Sequence, residues 1–412
     1  MSRRDGLYQW TQEVTTAFPN LSAPQATVLA LYSFGAALAR SCGLTAVALV
    51  LATLLKGKLN SLCQRLREFY QPARAKRGAK RGIKRQELDV TTCFAPLLRW
   101  VLRDWSGCQL PLALDATTLG SRFVVLCVSV VYRGSAIPVA WKVLPAKAKE
   151  AWQPHWLALL GQFQGAVPEG DTAVVFTDRG LWARWLFEAI VALGWHPMMR
   201  VNLGGSFRPA GWYHFRPLKS FAAQAGASWQ GRGTAFATKA CQLECTLLAY
   251  WGAGHAEPWL VLTDLPPARG DAGWYALRAW VEQGFKDLKR GGLQWQHTRM
   301  TDPARAERLW LVLAVTTLWL LRVGGEAEQD DAQATLPPLR LYTGGEPERP
   351  RARRWRLVSV FRRGWVVILA ALIAHRRLPL GRLVPEPLPP LPELPAPAPA
   401  GAGARRAREQ VA

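Results

Sequence analysis

The 412-residue sequence is poor in the residues that build metal clusters. It has seven cysteines and six histidines, and no two cysteines form a C-x-x-C pair. Cys241 and Cys245 are close in sequence, but no His or Cys follows them at the spacing of a zinc finger. There is no H-E-x-x-H pattern either. These absences exclude the common zinc sites and indicate structural thiols in a reducing cytosol.

Acidic residues are also scarce. The chain has 29 Asp and Glu against 52 Lys and Arg, which gives a net charge of +23. An excess of this size favours a polyanionic partner, and double-stranded DNA is the partner we expect. The alternative is a highly charged soluble protein from a GC-rich genome, in which Arg replaces Lys.

Long hydrophobic runs are missing, although 50% of the residues are hydrophobic. The apolar runs 43–55, 309–321 and 365–374 are each shorter than the ~20 residues that span a bilayer, so we predict buried helices there. The opening MSRRDGLYQW lacks the apolar region of a signal peptide. We expect a cytoplasmic protein of two or three domains that does not enter a membrane.

Residues 1–105 are predicted to form a helical N-terminal DNA-binding region. Apolar residues recur at helical spacing through 25–55 and 93–104. Between these stretches lies the basic segment 74–85, in which no acid occurs before Glu87. Such a run is usually a solvated, mobile face, but it also suits contact with DNA phosphates, which we favour.

Residues 106–203 read as alternating strands and helices. LPLALDATTL, FVVLCVSVVY and AIPVAWKVL predict three strands, and TAVVFTD and HPMMRVNL predict two more, each of which follows a helical segment. The order βββαβαβ predicts an α/β fold, a mixed sheet with flanking helices. It is the order of the ribonuclease H-like fold, and we assign 106–203 to the first part of that catalytic core.

The rest of the chain divides by composition. Residues 204–265 are rich in Gly, Trp and Thr and predict a β-rich insertion. Residues 266–325 hold two helical stretches and would complete the core, and 326–378 would form a C-terminal helical region. Residues 379–412 are rich in Pro and Ala and predict a disordered tail.

Three acids are placed for phosphoryl-transfer chemistry. Two-metal catalysis needs carboxylates that converge on ions ~3.5–4 Å apart, and Mg²⁺ prefers such hard oxygen ligands. Asp115 follows LPLAL in the first strand, and Asp178 ends TAVVFTD. Asp115 interrupts an apolar run, where an unpaired charge is costly. Each aspartate also has a structural alternative, a strand-end turn for Asp115 and a helix N-cap for Asp178. Asp171 and Asp264 compete with them, and Asp264 is the weaker choice for the second ligand.

The third acid, Glu282, lies in WYALRAWVEQGFKDLKRGG, which predicts one helix ended by Gly291 and Gly292. At about 100° per residue, Tyr275, Arg278, Glu282 and Lys289 share an arc of about 60°. A carboxylate flanked by two cations and a phenol suits a phosphodiester held beside a metal ion. The alternative is a salt-bridged solvent face, because Arg278 and Glu282 form an i,i+4 pair.

The spacing Tyr-x2-Arg-x3-Glu-x6-Lys, met in full by these four residues, resembles the signature of a large group of bacterial insertion-sequence transposases. These are DDE enzymes with a β-rich insertion in a ribonuclease H-like domain. DATTLG around Asp115, FTDRG around Asp178, NSLCQRLREFY at 60–70 and SVFRRGW at 359–365 are similar to segments of that group. The resemblance covers roughly residues 50–375 and implies a nucleoid-associated protein of a bacterial cytoplasm.

The resemblance also implies site roles. Asp115, Asp178 and Glu282 would be catalytic and bind two Mg²⁺ ions, with Mn²⁺ as a substitute. The phosphate backbone near the cut end would be contacted by the remaining residues of the motif, Tyr275, Arg278 and Lys289. In some members a tryptophan of the insertion stacks on a flipped base. Trp251 and Trp259 lie in that region, and neither is assigned.

The function that follows is cut-and-paste DNA transposition. The enzyme would bind the terminal inverted repeats of an insertion sequence as a homodimer and catalyse metal-dependent cleavage and strand transfer. Two alternatives stay open. One is a DDE-type nuclease without strand transfer, and the other is a domesticated, catalytically silent DNA-binding protein.

Overall fold

The computed structural model describes residues 3–78, 85–105, 109–168, 172–335 and 358–388. Two units are distinguished within them. The first contains the described residues up to 201 and those from 276 to 388, and the second is built on residues 202–275. Residues 79–84 of the basic segment and Asp171 lie outside the described residues.

The N-terminal part of the first unit is helical, as its apolar spacing predicts. Its helices are α1 (Arg3–Ala17), α2 (Ala23–Ala39), α3 (Leu44–Leu55), α4 (Leu59–Tyr70) and α5 (Phe94–Leu102). A capping box starts α2, because the Ser22 backbone N–H donates to the Gln25 side chain at 3.0 Å. The DNA-binding role of this region stays a prediction.

A mixed five-stranded sheet follows. Its strands are β1 (Leu110–Leu119), β2 (Phe123–Tyr132), β3 (Ser135–Pro145), β4 (Ala173–Thr177) and β5 (His196–Arg200), in the order β3-β2-β1-β4-β5. The first three strands form an antiparallel meander, whereas β4 runs parallel to β1 and to β5. Helices α6 (Gln153–Gly161) and α7 (Arg184–Ala192) lie in the two connections before β4 and β5. The predicted α/β core with flanking helices is therefore confirmed.

Three further helices complete the first unit: α8 (Trp280–Leu288), α9 (Pro303–Thr335) and α10 (Val360–Ile373). Helix α9 is long and apolar enough to cross a membrane by length and composition, as is the bent pair of α2 and α3. However, 94% of its most apolar window is buried inside the protein. Helix α9 is thus the central core helix, with α10 packed closely on it at Gly324 and Gly364.

The predicted disordered tail from residue 379 is wrong for residues 379–388. Leu383 and Leu388 are buried, and the Leu383 backbone N–H donates to Asp104 Oδ2 at 3.0 Å. The Val384 N–H donates to the Tyr132 hydroxyl at 3.0 Å. Leucines spaced between the prolines supply apolar surface that the composition of the segment hides. Residues 389–412 lie outside the described part of the chain.

The second unit is an antiparallel sheet, within the segment that is predicted to be a β-rich insertion. Its strands are β6 (Ser206–Pro209), β7 (Arg216–Pro217), β8 (Ser228–Ala235), β9 (Leu243–Tyr250) and β10 (Trp259–Thr263), and the order is β10-β9-β8-β6-β7. One side of the sheet carries an aromatic cluster of Phe207, Phe221 and Trp229. This unit therefore has an apolar cluster of its own.

Candidate active site

Two acids meet where the parallel pairing of β1 and β4 ends. Leu114 and Thr177 are the last paired residues of that ladder. Asp115 follows Leu114 in β1, and Asp178 follows Thr177 at the end of β4. Beyond this point β1 continues only against β2, where Asp115 pairs with Cys127. Asp115 is thus in the middle of its strand rather than at its end, but the register still brings the two carboxylates side by side.

The Asp115 carboxylate is held from both sides. Its Oδ1 accepts the backbone N–H of Ala116 at 2.8 Å, and its Oδ2 accepts from Arg278 Nη2 at 2.8 Å. The side chain is 14% exposed. Burial raises the pKa of Asp115, and the charges of Asp178 and Glu282 raise it further, against the opposing effects of Arg278 and the Ala116 N–H. The predicted turn with the following threonines is not what holds this side chain.

Asp178 is an N-cap, as its structural alternative predicted, and it also contacts Arg278. Its Oδ1 accepts the backbone N–H groups of Gly180 at 2.9 Å and Leu181 at 3.2 Å, and so caps the short 3-10 helix Arg179–Leu181. Its Oδ2 lies 3.3 Å from Arg278 Nη2. One oxygen therefore fixes the turn, and the other faces Asp115.

Glu282 reaches the same place from α8. Its Oε1 accepts from Arg278 Nη1 at 2.8 Å, and its side chain is 57% exposed. This is the i,i+4 pair expected for a salt-bridged solvent face. However, the Arg278 side chain is only 16% exposed, and it also contacts the two aspartates. The pair thus belongs to a three-acid site (Asp115, Asp178 and Glu282) with one guanidinium among the carboxylates.

Two α8 residues that the sequence argument did not single out position Glu282. A Cβ on Gly284 would lie 2.8 Å from the Ala136 Cβ and 3.0 Å from the Ala136 N, so α8 approaches β3 at van der Waals distance. Buried Asp287 accepts the Ser135 hydroxyl at 2.7 Å. A glycine inside a helix and an acid beside Leu288 were the available signals, because both are unfavourable unless packing requires them.

The prediction of one helix from Tyr275 to Lys289 is wrong. Residues Ala272–Ala279 form a 3-10 helix and α8 starts at Trp280, while Lys289 follows the last helical residue with φ −98° and ψ −129°. At three residues per 3-10 turn the predicted arc cannot persist. Arg278 and Glu282 nevertheless remain neighbours across the junction between the 3-10 helix and α8, where they form a 2.8 Å ion pair.

Lys289 is attached to the continuation of β1 past Asp115. Its Nζ donates to Thr117 Oγ1 at 2.7 Å and to the Thr118 carbonyl at 2.7 Å. Burial lowers the pKa of the Lys289 ammonium. Two of its three donors are therefore used by the protein, which ties the end of α8 to the acid-bearing strand.

The other predicted residues belong to the second unit. The ring of buried Tyr275 lies edge-on to Trp259, with centroids 5.4 Å apart. Trp259 also packs on His255 at 4.5 Å, and Trp251 donates to the His255 carbonyl at 2.9 Å. The alternate Asp264 accepts from Arg232 Nη1 through its carbonyl at 3.3 Å.

The three-acid site has the donor chemistry of a magnesium centre. In the part of the chain that the structure describes, no three His, Cys, Asp or Glu side chains converge tightly enough to coordinate one ion. The Oδ2 atoms of Asp115 and Asp178 nevertheless lie within 3.3 Å of the same Arg278 nitrogen. We call these two atoms the inner oxygens, and the Oδ1 atoms, which accept backbone N–H groups, the outer oxygens. Carboxylate oxygens are the preferred ligands of Mg²⁺, and one guanidinium leaves most of their charge unbalanced. The residues therefore fit a divalent cation.

Comparison with known proteins identifies the family of the chain. A search of curated proteins finds no match. A solved structure described as a piggyBac transposase synaptic complex with hairpin DNA is 10% identical over 81% of this chain and 78% of that one. Its TM-score is 0.30, which is too low to establish a shared fold. Residues 112–319, just over half of the chain, match the family model described as Transposase DDE domain. The chain belongs to that family and is a DDE transposase.

Proposed function

We propose that this transposase catalyses cut-and-paste movement of a bacterial insertion sequence. The observation that carries the proposal is the three-acid site, in which Asp115, Asp178 and Glu282 surround one guanidinium. Asp115 lies in β1, Asp178 directly follows the adjacent parallel strand β4, and Glu282 lies on a later helix. Carboxylates that converge in this way suit phosphoryl transfer on two cations. The Tyr-Arg-Glu-Lys signature supports the assignment to the insertion-sequence group.

Asp115, Asp178 and Glu282 would hold two Mg²⁺ ions, which Mn²⁺ can replace. When bound, the ions supply charge stabilisation for the attacking and leaving oxygens of the phosphodiester. The protein supplies the fixed positions of the carboxylates. Asp115 and Asp178 each anchor one oxygen on backbone N–H groups, which leaves the other oxygen directed into the site. Such preorganisation lowers the reorganisation that the reaction requires.

Arg278 and Lys289 would contact the DNA backbone beside the scissile phosphate. The phosphate contact of Tyr275, whose ring is buried against Trp259, stays a prediction. A guanidinium grips a phosphate with two parallel hydrogen bonds, whereas an ammonium acts as a point charge. Lys289 has one donor beyond those it gives to Thr117 and Thr118. Contacts of this kind place the phosphodiester relative to the carboxylates and need no covalent enzyme intermediate.

The reaction has two steps of the same type. Water attacks the phosphodiester at the end of the element, and a 3′ hydroxyl leaves. That hydroxyl then attacks a second phosphodiester, either on the opposite strand or in target DNA. A new P–O bond joins the strands, the P–O3′ bond of the attacked strand breaks, and its 3′ hydroxyl leaves. The net charge of +23 favours the DNA duplex as substrate. We further propose that the N-terminal helices read the inverted repeats, that two copies pair two ends, and that the protein acts in the cytoplasm at the nucleoid.

The test uses DNA that carries the terminal inverted repeats that the proposal expects on each side of the gene. Glu282→Ala should bind this DNA as the wild type does and lose Mg²⁺-dependent cleavage. Glu188→Ala is the matched control, because Glu188 forms an i,i+4 pair with Arg184 on α7 and should cleave normally. Full cleavage by Glu282→Ala would sink the proposal. Pre-cleaved ends then test joining, since a nuclease without strand transfer would leave them unjoined.

A further inference from the structure

We propose that Arg278 is an internal counter-cation that competes with the metal ions for Asp115 and Asp178 and thereby sets the metal affinity of the site. The inference rests on the proposed function, in which the same carboxylates hold divalent cations. In the DNA-free protein, Arg278 would partly neutralise the carboxylates of the three-acid site. Metal binding and phosphate binding should then be coupled through this one side chain.

The competition follows from which oxygens are available. The outer oxygen of Asp115 is taken by the Ala116 N–H, and the outer oxygen of Asp178 by the N–H groups of Gly180 and Leu181. The inner oxygens have no backbone N–H partner among these contacts and are therefore the oxygens best placed for a cation. Those are the two oxygens that Arg278 Nη2 contacts, at 2.8 and 3.3 Å. A metal ion that bridges them and the guanidinium cannot both occupy this position.

The charges favour exchange. One guanidinium faces three carboxylates, and burial of Asp115 makes their mutual repulsion costly. A divalent ion neutralises more of this charge than Arg278 does. The exchange is nevertheless not free, because each charge-assisted hydrogen bond to Arg278 must be given up. Arg278 should therefore weaken metal binding relative to the same site without it.

The displaced side chain has a natural acceptor in the proposed substrate. Arg278 lies in the 3-10 helix Ala272–Ala279, directly before the start of α8 at Trp280. A 3-10 segment has poorer hydrogen-bond geometry than an α-helix and so holds its residues less firmly. Once released, the guanidinium can bind a DNA phosphate at two points. Metal and DNA would then strengthen each other's binding, because coupling between two ligands is reciprocal.

The experiment measures Mn²⁺ binding to the full chain by calorimetry, without DNA. Arg278→Gln should bind Mn²⁺ about tenfold more tightly than the wild type, since a charge-assisted contact no longer competes. Arg184→Gln removes the same charge from the exposed pair on α7 and should leave Mn²⁺ affinity unchanged. Arg278→Lys, which keeps the charge but not the forked geometry, should fall between the wild type and Arg278→Gln and covers the case in which Arg278→Gln does not fold.

The outcomes separate the inference from the function on which it rests. Equal or weaker Mn²⁺ binding by Arg278→Gln and Arg278→Lys, at a site that Asp115→Asn abolishes, would overturn the role of Arg278 and leave the metal site intact. Mn²⁺ binding that Asp115→Asn does not change would overturn the metal site itself. A second readout is DNA affinity. Mn²⁺ should increase the affinity of the wild type for DNA ends several-fold and that of Arg278→Gln much less.

Discussion

Two charged clusters in the first unit contrast in how their charges balance. The α9 ion cluster consists of Arg103, Arg322, Glu13 and Asp104. Arg322 lies 2.8 Å from Glu13 and 3.2 Å from Asp104, and Arg103 also donates to Glu13. Two arginines here meet two acids. In the three-acid site, by contrast, one arginine meets three acids.

The pKa shifts follow this balance. Burial acts to raise the pKa of Glu13, but hydrogen bonds from Arg103 and Arg322 outweigh it and the pKa is lowered. Burial raises the pKa of Asp115, and Arg278 does not offset it. The folded protein thus favours the charged form of Glu13 and disfavours that of Asp115. The excess of acids around partly buried Asp115 is the feature that supports the proposed cation site.

The largest difference between the two clusters is expected when Asp178 of the three-acid site is neutralised. Asp178→Asn keeps a side-chain oxygen that can cap the 3-10 helix Arg179–Leu181, so the melting temperature should hold. It removes a charge from the three-acid site, and DNA cleavage should fall at least about a thousandfold. Asp178→Ala should lose activity equally and stability by about 1 kcal/mol as well. Thermal melting and cleavage assays on both variants check this, and normal cleavage by Asp178→Asn would contradict it.

Neutralising one acid in each cluster should change stability in opposite directions. Glu13→Gln should destabilise the fold by about 3 kcal/mol, because buried arginines lose a charge partner. The contribution of Glu13 exists above its unfolded pKa and is lost as the pH falls through its lower folded pKa. Asp115→Asn should raise the melting temperature, because a charge that the fold disfavours is removed. Urea titrations at neutral pH test both, and equal signs would refute the comparison.

Gly284 tests how closely the three-acid site depends on packing. Gly284→Ala places a methyl group against Ala136 and should cost about 1–3 kcal/mol of stability. The shift of α8 moves Glu282, and cleavage should fall roughly 10- to 100-fold. Gly161→Ala in α6 is the control, because a Cβ there meets nothing within 4 Å. Equal cleavage rates for the two variants would show that Glu282 tolerates movement of its helix.

The smallest effect is expected at Lys289, at the edge of the three-acid site. Lys289→Met removes the donors to Thr117 and Thr118 and the proposed phosphate contact. Affinity for DNA ends should fall several-fold, with a loss of about 1 kcal/mol for the missing interactions. Exposed Lys286→Met carries the same charge change and should bind nearly as the wild type does. Fluorescence anisotropy at fixed salt distinguishes them, and an identical loss in both would reduce Lys289 to a general charge.

The sequence predicted the parts of the site that regular strands determine. Strand patterns placed Asp115 and Asp178 on two core strands, and parallel pairing then brought them together. The sequence could not predict the backbone conformation before Glu282, because helical spacing does not distinguish a 3-10 helix from an α-helix. Nor could it place Tyr275, whose ring packs on Trp259 within the second unit. The packing of residues 379–388 against the first unit could not be predicted, because composition does not report long-range contacts such as that between Leu383 and Asp104.

The central claim is that the three-acid site binds divalent cations through the inner oxygens of Asp115 and Asp178. Anomalous diffraction from crystals grown with Mn²⁺ tests it most directly. We predict an anomalous peak between these two oxygens, with Arg278 moved away from them. Ordered Mn²⁺ elsewhere in the crystal, with Arg278 still bound to both aspartates and no peak between them, would contradict the account.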